Sequence, residues 1–201
     1  MRGLRAAIDA ARHPALFVVD VVASLGAAPF AMDELGVNVV VGASQKGLMV
    51  PPGLGFIGVD ARAMQAARGT TAPRFYWDWA RRISDLSYMK FCGTPPQSLL
   101  AGLEAALGLI FLEGIDAVLE RHARIARAVH AAVDCWSEGG ALRCFAPLAQ
   151  ARSTSVTAVA VRAGIDIEAP RSVARERSQV AIAGGLGPLA GRVFRIGHLG
   201  D

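Results

Sequence analysis

Three side chains raise the question of chemistry: Asp20, Lys46 and Arg195. Asp20 closes the apolar run Ala15 to Val19. Lys46 follows a second apolar run, Val37 to Val41, across Gly42-Ala43-Ser44-Gln45. In α/β sheets, ligands bind beyond the carboxyl ends of strands, so a carboxylate and an amine at two such ends can address one ligand. Arg195 ends a further apolar stretch before Gly197-His198-Leu199-Gly200. Each residue also has a plainer reading. An Asp at a strand end commonly serves a turn or a helix cap. A loop lysine is commonly solvated. A surface arginine commonly sits in an ion pair of little energetic weight. Spacing alone leaves both readings open.

The elements that must position these residues follow from periodicity. Ala15 to Val19, Val37 to Val41 and Leu54 to Val59 are short continuous apolar runs, expected as strands buried on both faces. Residues 2–12 are rich in Ala and Arg and predict a short helix ending near His13-Pro14. Helical patterns occupy about 60–67 and 74–84, and a long one runs from 96 to 136, shifting near Gly114. Beyond Gly139-Gly140, Ser155 to Val161 predicts a strand and Ile167 to Arg177 a helix. Val180 to Ala183 and Val193 to Ile196 predict strands around the turn Gly184-Gly185-Leu186-Gly187-Pro188. A domain boundary is expected near Gly114, giving units 1–113 and 114–201.

Composition narrows the class. The 201 residues are 53% hydrophobic and 19% charged, enough apolar surface for a core. The net charge of +4 is spread over both halves, with no basic stripe interleaved with aromatics, so a nucleic-acid partner is not expected. The longest uncharged stretches, 47–59 and 178–191, contain Gly and Pro and fall short of a span, so no membrane partner is expected. Met1 to Arg12 has no apolar core of a secretory signal. Cys92, Cys135 and Cys144 are an odd number without zinc spacing, which fits a reduced, cytoplasmic setting and no metal site.

Three blocks carry a resemblance. Leu16-Phe17-Val18-Val19-Asp20-Val21-Val22-Ala23-Ser24-Leu25-Gly26 and Ser44-Gln45-Lys46-Gly47-Leu48-Met49-Val50-Pro51-Pro52-Gly53 resemble segments of the class V, fold-type I pyridoxal-phosphate enzymes. Ile182-Ala183-Gly184-Gly185-Leu186-Gly187-Pro188 followed by Phe194-Arg195-Ile196-Gly197-His198 resembles that family's C-terminal domain. All three look most like the alanine–glyoxylate and serine–glyoxylate aminotransferases. Cysteine desulfurases and kynureninases of the same fold place histidine before the lysine; here it is Gln45.

The resemblance implies an α/β fold. The chain corresponds to the C-terminal part of the large parallel or mixed-sheet domain, then a small α+β domain. The family's N-terminal arm and its phosphate-cradling glycine turn lie outside this sequence. It implies pyridoxal 5'-phosphate as cofactor, with Lys46 as the amine that condenses with the cofactor aldehyde and moves the substrate's α proton. Asp20 is implied to pair with the pyridine nitrogen and Val22 to pack on the ring. Gln45 is implied to bind the phosphate, and Thr94 of Gly93-Thr94-Pro95-Pro96 the phosphate of a neighbouring subunit, hence a homodimer. Arg195 is implied to clamp the substrate carboxylate with its guanidinium fork.

The implied reaction moves an amino group from a small amino acid, serine or alanine, to glyoxylate or a similar 2-oxo acid. Two rivals stand beside it: an aminophosphonate–pyruvate type of aminotransferase, and a fragment inactive without the phosphate-binding half. Two positions depart from the family pattern. Phe91 stands where a phosphate-binding tyrosine is common, and Ala43 where glycine is common, which matters if that position needs positive φ. The remaining residues take ordinary roles. His122 and His130 are expected as solvated helix positions, His198 as a local hydrogen-bonding residue and Cys92 as an unreactive thiol. Tyr76, Trp77 and Trp79 are expected as packing residues.

Overall fold

The structure, a computed structural model, describes residues 1–201. The chain divides into two compact units. The first comprises Met1–Leu25 and Phe30–Leu109, the second Gly26–Pro29 and Ile110–Asp201.

The first unit opens with helix α1 (Arg2–Ala10), which ends where Arg12 turns to a φ of 48° ahead of Pro14. Strands β1 (Val18–Asp20), β2 (Val39–Ala43) and β3 (Gly55–Val59) form one sheet in that order. β1 runs parallel to β2, with Asp20 opposite Val41, and β3 runs antiparallel to β2. Helix α2 (Ala61–Arg68) is capped by Asp60, whose side chain accepts from the Ala63 N–H at 2.7 Å. Two four-residue helices, α3 (Trp79–Arg82) and α4 (Ser87–Lys90), precede α5 (Gln97–Glu113).

A buried asparagine ties the parallel pair together. Asn38 accepts from the Phe17 N–H through Oδ1 at 2.7 Å and donates through Nδ2 to Asp60 at 2.7 Å, while its backbone N–H donates to the Phe17 carbonyl. One side chain therefore links the entry to β1, the entry to β2 and the α2 cap.

Several expectations are corrected here. The first strand is three residues long, because Ala15 to Phe17 run as loop bonded to Asn38. Nor are the strands buried on both faces. Val39 is buried, but Val18, Val41 and Ile57, which register puts on the same face, are exposed. The helix expected over 74–84 is only α3: Asp78 starts it and an extended Ile83 stops it. Tyr76 and Trp77 stack edge to face with centroids 5.1 Å apart, yet both are exposed rather than packed into a core.

The second unit begins within α5 and continues through Gly114, whose φ of 91° breaks the helical run, into α6 (Ile115–Trp136). Then follow β4 (Leu142–Cys144), β5 (Val156–Val161), α7 (Glu168–Ser178), β6 (Ala183–Gly184) and β7 (Val193–Gly197). The sheet order is β4-β5-β7-β6, antiparallel throughout. Strand β4 was not expected from the sequence, and the strand expected over Val180 to Ala183 pairs only at Ala183–Gly184. Val133, Cys144, Val159, Ile167 and Phe194 form the core between α6 and one face of this sheet. Fully buried residues such as Val133 and Val159 each stabilise it by roughly 1.5–3 kcal/mol. No single helix of the chain is long and apolar enough to cross a membrane.

Candidate active site

The parallel pairing of β1 and β2 brings the carboxyl ends of both strands to one sheet edge. The Val21 N–H continues the ladder by donating to the Val41 carbonyl at 2.8 Å. Asp20 ends β1. Its Oδ1 accepts from the Val22 N–H at 2.8 Å, which is the turn role expected of an Asp at a strand end. Oδ2 has no protein partner and the side chain is exposed. Half-buried Val22 lies one residue beyond the turn.

Lys46 lies three residues past the end of β2, on a loop held by Ser44. Ser44 is wholly buried. Its hydroxyl donates to the Pro51 carbonyl at 2.9 Å, and its backbone exchanges bonds with Leu54 and Val50. Met49 reverses the chain at a φ of 60°, its N–H donating to the Lys46 carbonyl at 2.9 Å. Gly53, at a φ of 144°, holds a backbone conformation that side-chain-bearing residues rarely adopt, and a Cβ there would press on the tip of Leu99, 2.5 Å away. Hydrogen bonds thus tie the loop together, while Gln45 and Lys46 are exposed on it. Ala43 ends β2 without positive φ, so replacing glycine there costs no backbone strain.

Thr94 stands exposed in the same unit, between α4 and α5, after Cys92 at a φ of 59° and Gly93 at 158°. Phe91 is partly exposed beside this turn and brings no hydrogen-bond donor.

Arg195 belongs to the second unit. It lies in β7 between Ala158 of β5 and Ala183 of β6. Its Nε donates to the Gly184 carbonyl at 2.9 Å, which orients the guanidinium and leaves both terminal nitrogens for a bidentate partner. Asp20, Lys46 and Arg195 take part in none of the chain's ion pairs. Within the first unit the unpaired donor set is the Lys46 amine and Asp20 Oδ2, which fits a ligand with an aldehyde and a ring N–H.

Comparison with known proteins gives the same direction. The family described as Aminotransferase class-V matches residues 4–189. The chain belongs to the class-V aminotransferases. This class-V chain is 43% identical over 198 residues to the L-aspartate–glyoxylate aminotransferase of Paracoccus denitrificans, covering 98% of this chain and 49% of that protein. It is 41% identical to the serine–glyoxylate aminotransferase of Methylorubrum extorquens, covering 98% and 50%. The solved alanine–glyoxylate aminotransferase of Nostoc sp. superposes with a TM-score of 0.80 at 27% identity, over 98% of this chain and 52% of that one. The fold is that of the fold-type I aminotransferases, and the chain spans about half the length of the curated relatives it matches.

Positioning residues in this aminotransferase chain escaped the sequence reading. Asn38, Asp60 and Ser44 are ordinary polar residues in loops or at element ends, and their roles arise only from distant partners. The Ala63 amide and Asn38 hold the Asp60 carboxyl below the usual aspartate range against the opposing effect of burial. His122 and His130 are not solvated helix positions. His122 is 1% exposed, and the His130 Nε2 is buried without a partner. His198 does bond locally, its Nε2 lying 2.8 Å from Thr157 Oγ1.

Proposed function

We propose that the chain carries the lysine-bearing half of a pyridoxal-phosphate-dependent aminotransferase. The transfer runs from a small amino acid, serine or alanine, to glyoxylate or a similar 2-oxo acid. The observation that carries this reading is the parallel β1–β2 pair, whose carboxyl ends lead to Asp20 and Lys46, with Asp20 Oδ2 and the Lys46 amine unpaired.

When bound, pyridoxal phosphate supplies the sink for the electron pair left by a broken α C–H bond. Lys46 Nζ would hold the cofactor at its aldehyde and would carry the substrate's α proton. Asp20 Oδ2 would accept from the ring N–H and keep that nitrogen protonated. Val22 would pack on the ring, and the Gln45 amide and Thr94 hydroxyl would hold the phosphate. Arg195 takes the substrate carboxylate through its two free nitrogens. The wider reading is a cytoplasmic homodimer. Three unpaired cysteines support the reduced setting. The family resemblance at Thr94 supports a contribution across a subunit boundary.

The chain contains only two lysines, Lys46 and Lys90, both exposed. Borohydride trapping with pyridoxal phosphate therefore has an internal control. Peptide mapping is expected to find one adduct, on Lys46, absent in Lys46→Ala. Equal labelling of Lys46 and Lys90 would contradict the reading.

A further inference from the structure

The second unit's sheet has a face turned away from its hydrophobic core. Register sets Arg143 of β4, Ala160 of β5 and Val193 of β7 side by side on that face. Arg162 follows β5 on the same side, its N–H donating to the Ala141 carbonyl at 2.9 Å. Arg192 precedes β7, its carbonyl accepting from the Val161 N–H at 2.9 Å. All three arginines converge on one end of the sheet. They line a cavity of about 310 Å³, together with Phe145, Ala160 and Leu189.

The charge balance of this cavity is one-sided. No carboxylate lines it. Arg143, Arg162 and Arg192 take part in no ion pair, whereas Arg121, Arg152 and Arg171 of the same unit pair with Glu113, Asp134 and Glu168. All three are exposed, and three arginines without a carboxylate partner along one concavity concentrate anions. The volume lies at the low end for small-molecule sites, so the occupant is compact. Planar forks match the oxygens of a phosphate better than a single charge does.

We propose that Arg143, Arg162 and Arg192 form a binding site for a compact multivalent anion bearing a phosphate group, either inorganic phosphate or a small phosphate monoester. The small apolar floor of Ala160, Val193 and Leu189 accommodates a short carbon skeleton beside the phosphate. The proposal does not depend on the aminotransferase reading.

The test is calorimetric titration of the full chain at low ionic strength with inorganic phosphate, glycerol 3-phosphate and acetate as separate probes. Saturable one-site binding is expected for phosphate or glycerol 3-phosphate, and whichever binds more tightly identifies the source. Acetate is expected not to saturate. Each of Arg143→Ala, Arg162→Ala and Arg192→Ala is expected to weaken binding roughly tenfold. The triple Arg→Lys variant, which keeps the charge and guards against loss of fold, is expected to bind with intermediate affinity. Gln45→Ala and Lys46→Ala are expected to leave anion binding unchanged. The proposal is overturned if no probe saturates, if acetate matches phosphate, or if binding survives the three arginine variants and is lost with Gln45→Ala or Lys46→Ala.

Discussion

Three of the chain's four histidines lie in the second unit, and their nitrogens are in different situations. His122 Nε2 accepts from the Gly200 N–H at 3.0 Å, so the proton is on Nδ1, which donates to the Val118 carbonyl at 2.8 Å. His130 and His198 meet edge to face with centroids 6.1 Å apart, and His130 Nε2 and His198 Nδ1 are buried without partners. Burial is the first cause pushing both imidazoles below the usual histidine range. Arg152 pushes His130 further down while Asp134 opposes it, and His130 and His122 act on His198. Cys144 lies in the same cluster, its thiol pushed up by burial. A histidine with a depressed folded pKa binds its proton more readily in the unfolded chain. The stability these residues lend is therefore complete above about pH 6.5 and falls as pH drops from there toward their folded values. Urea midpoints are expected to decline between pH 7 and 5, and the decline to shrink in a His130→Gln/His198→Gln variant. A flat profile in the parent chain would contradict this.

At the scale of elements, short connections do the positioning. The end of β6 holds Arg195 through the Gly184 carbonyl, and the backbone crowds the glycine that follows. A Cβ at Gly185 would lie 2.1 Å from the Leu189 carbonyl oxygen. Gly185→Ala is expected to cost about 1–3 kcal/mol, the range for forcing atoms into filled space, and to loosen the Arg195 fork. Gly187, at a φ of 52° in open space, is expected to cost only ~1 kcal/mol on the same change. Chemical denaturation of the two variants checks the order. Asp20 at the end of β1 and Lys46 just past β2 were legible from the apolar runs before them, whereas Arg195, read as ending its strand, lies in the middle of β7. The break at Gly114 was legible because a periodic pattern shifts at a glycine. Helix α3 and strand β4 were not legible. One is trimmed by its own cap and by an extended Ile83, the other owes its existence to pairing with β5 rather than to its three residues.

For the whole molecule, the first unit is marked by apolar surface that it leaves uncovered. Val18, Val41 and Ile57 are exposed on its sheet, and Phe75, Tyr76, Trp77, Ile83, Leu86 and Tyr88 are exposed along one segment. Exposed large apolar side chains in such number are the material of an association surface. The chain is expected to self-associate with rising concentration in sedimentation velocity, and a single unchanging monomer boundary would count against it. Burial was the least legible property in the sequence. An apolar run reports that a strand can be covered, while coverage depends on neighbours that the run does not encode. Gly200 supports a different kind of consequence. Its N–H bonds His122 and its carbonyl accepts from Arg121 at 2.6 Å, so the final residues are fastened to the middle of α6. A cut after Leu199 would strand a buried imidazole acceptor. For anyone trimming or tagging this polypeptide, that end is masonry and not fringe.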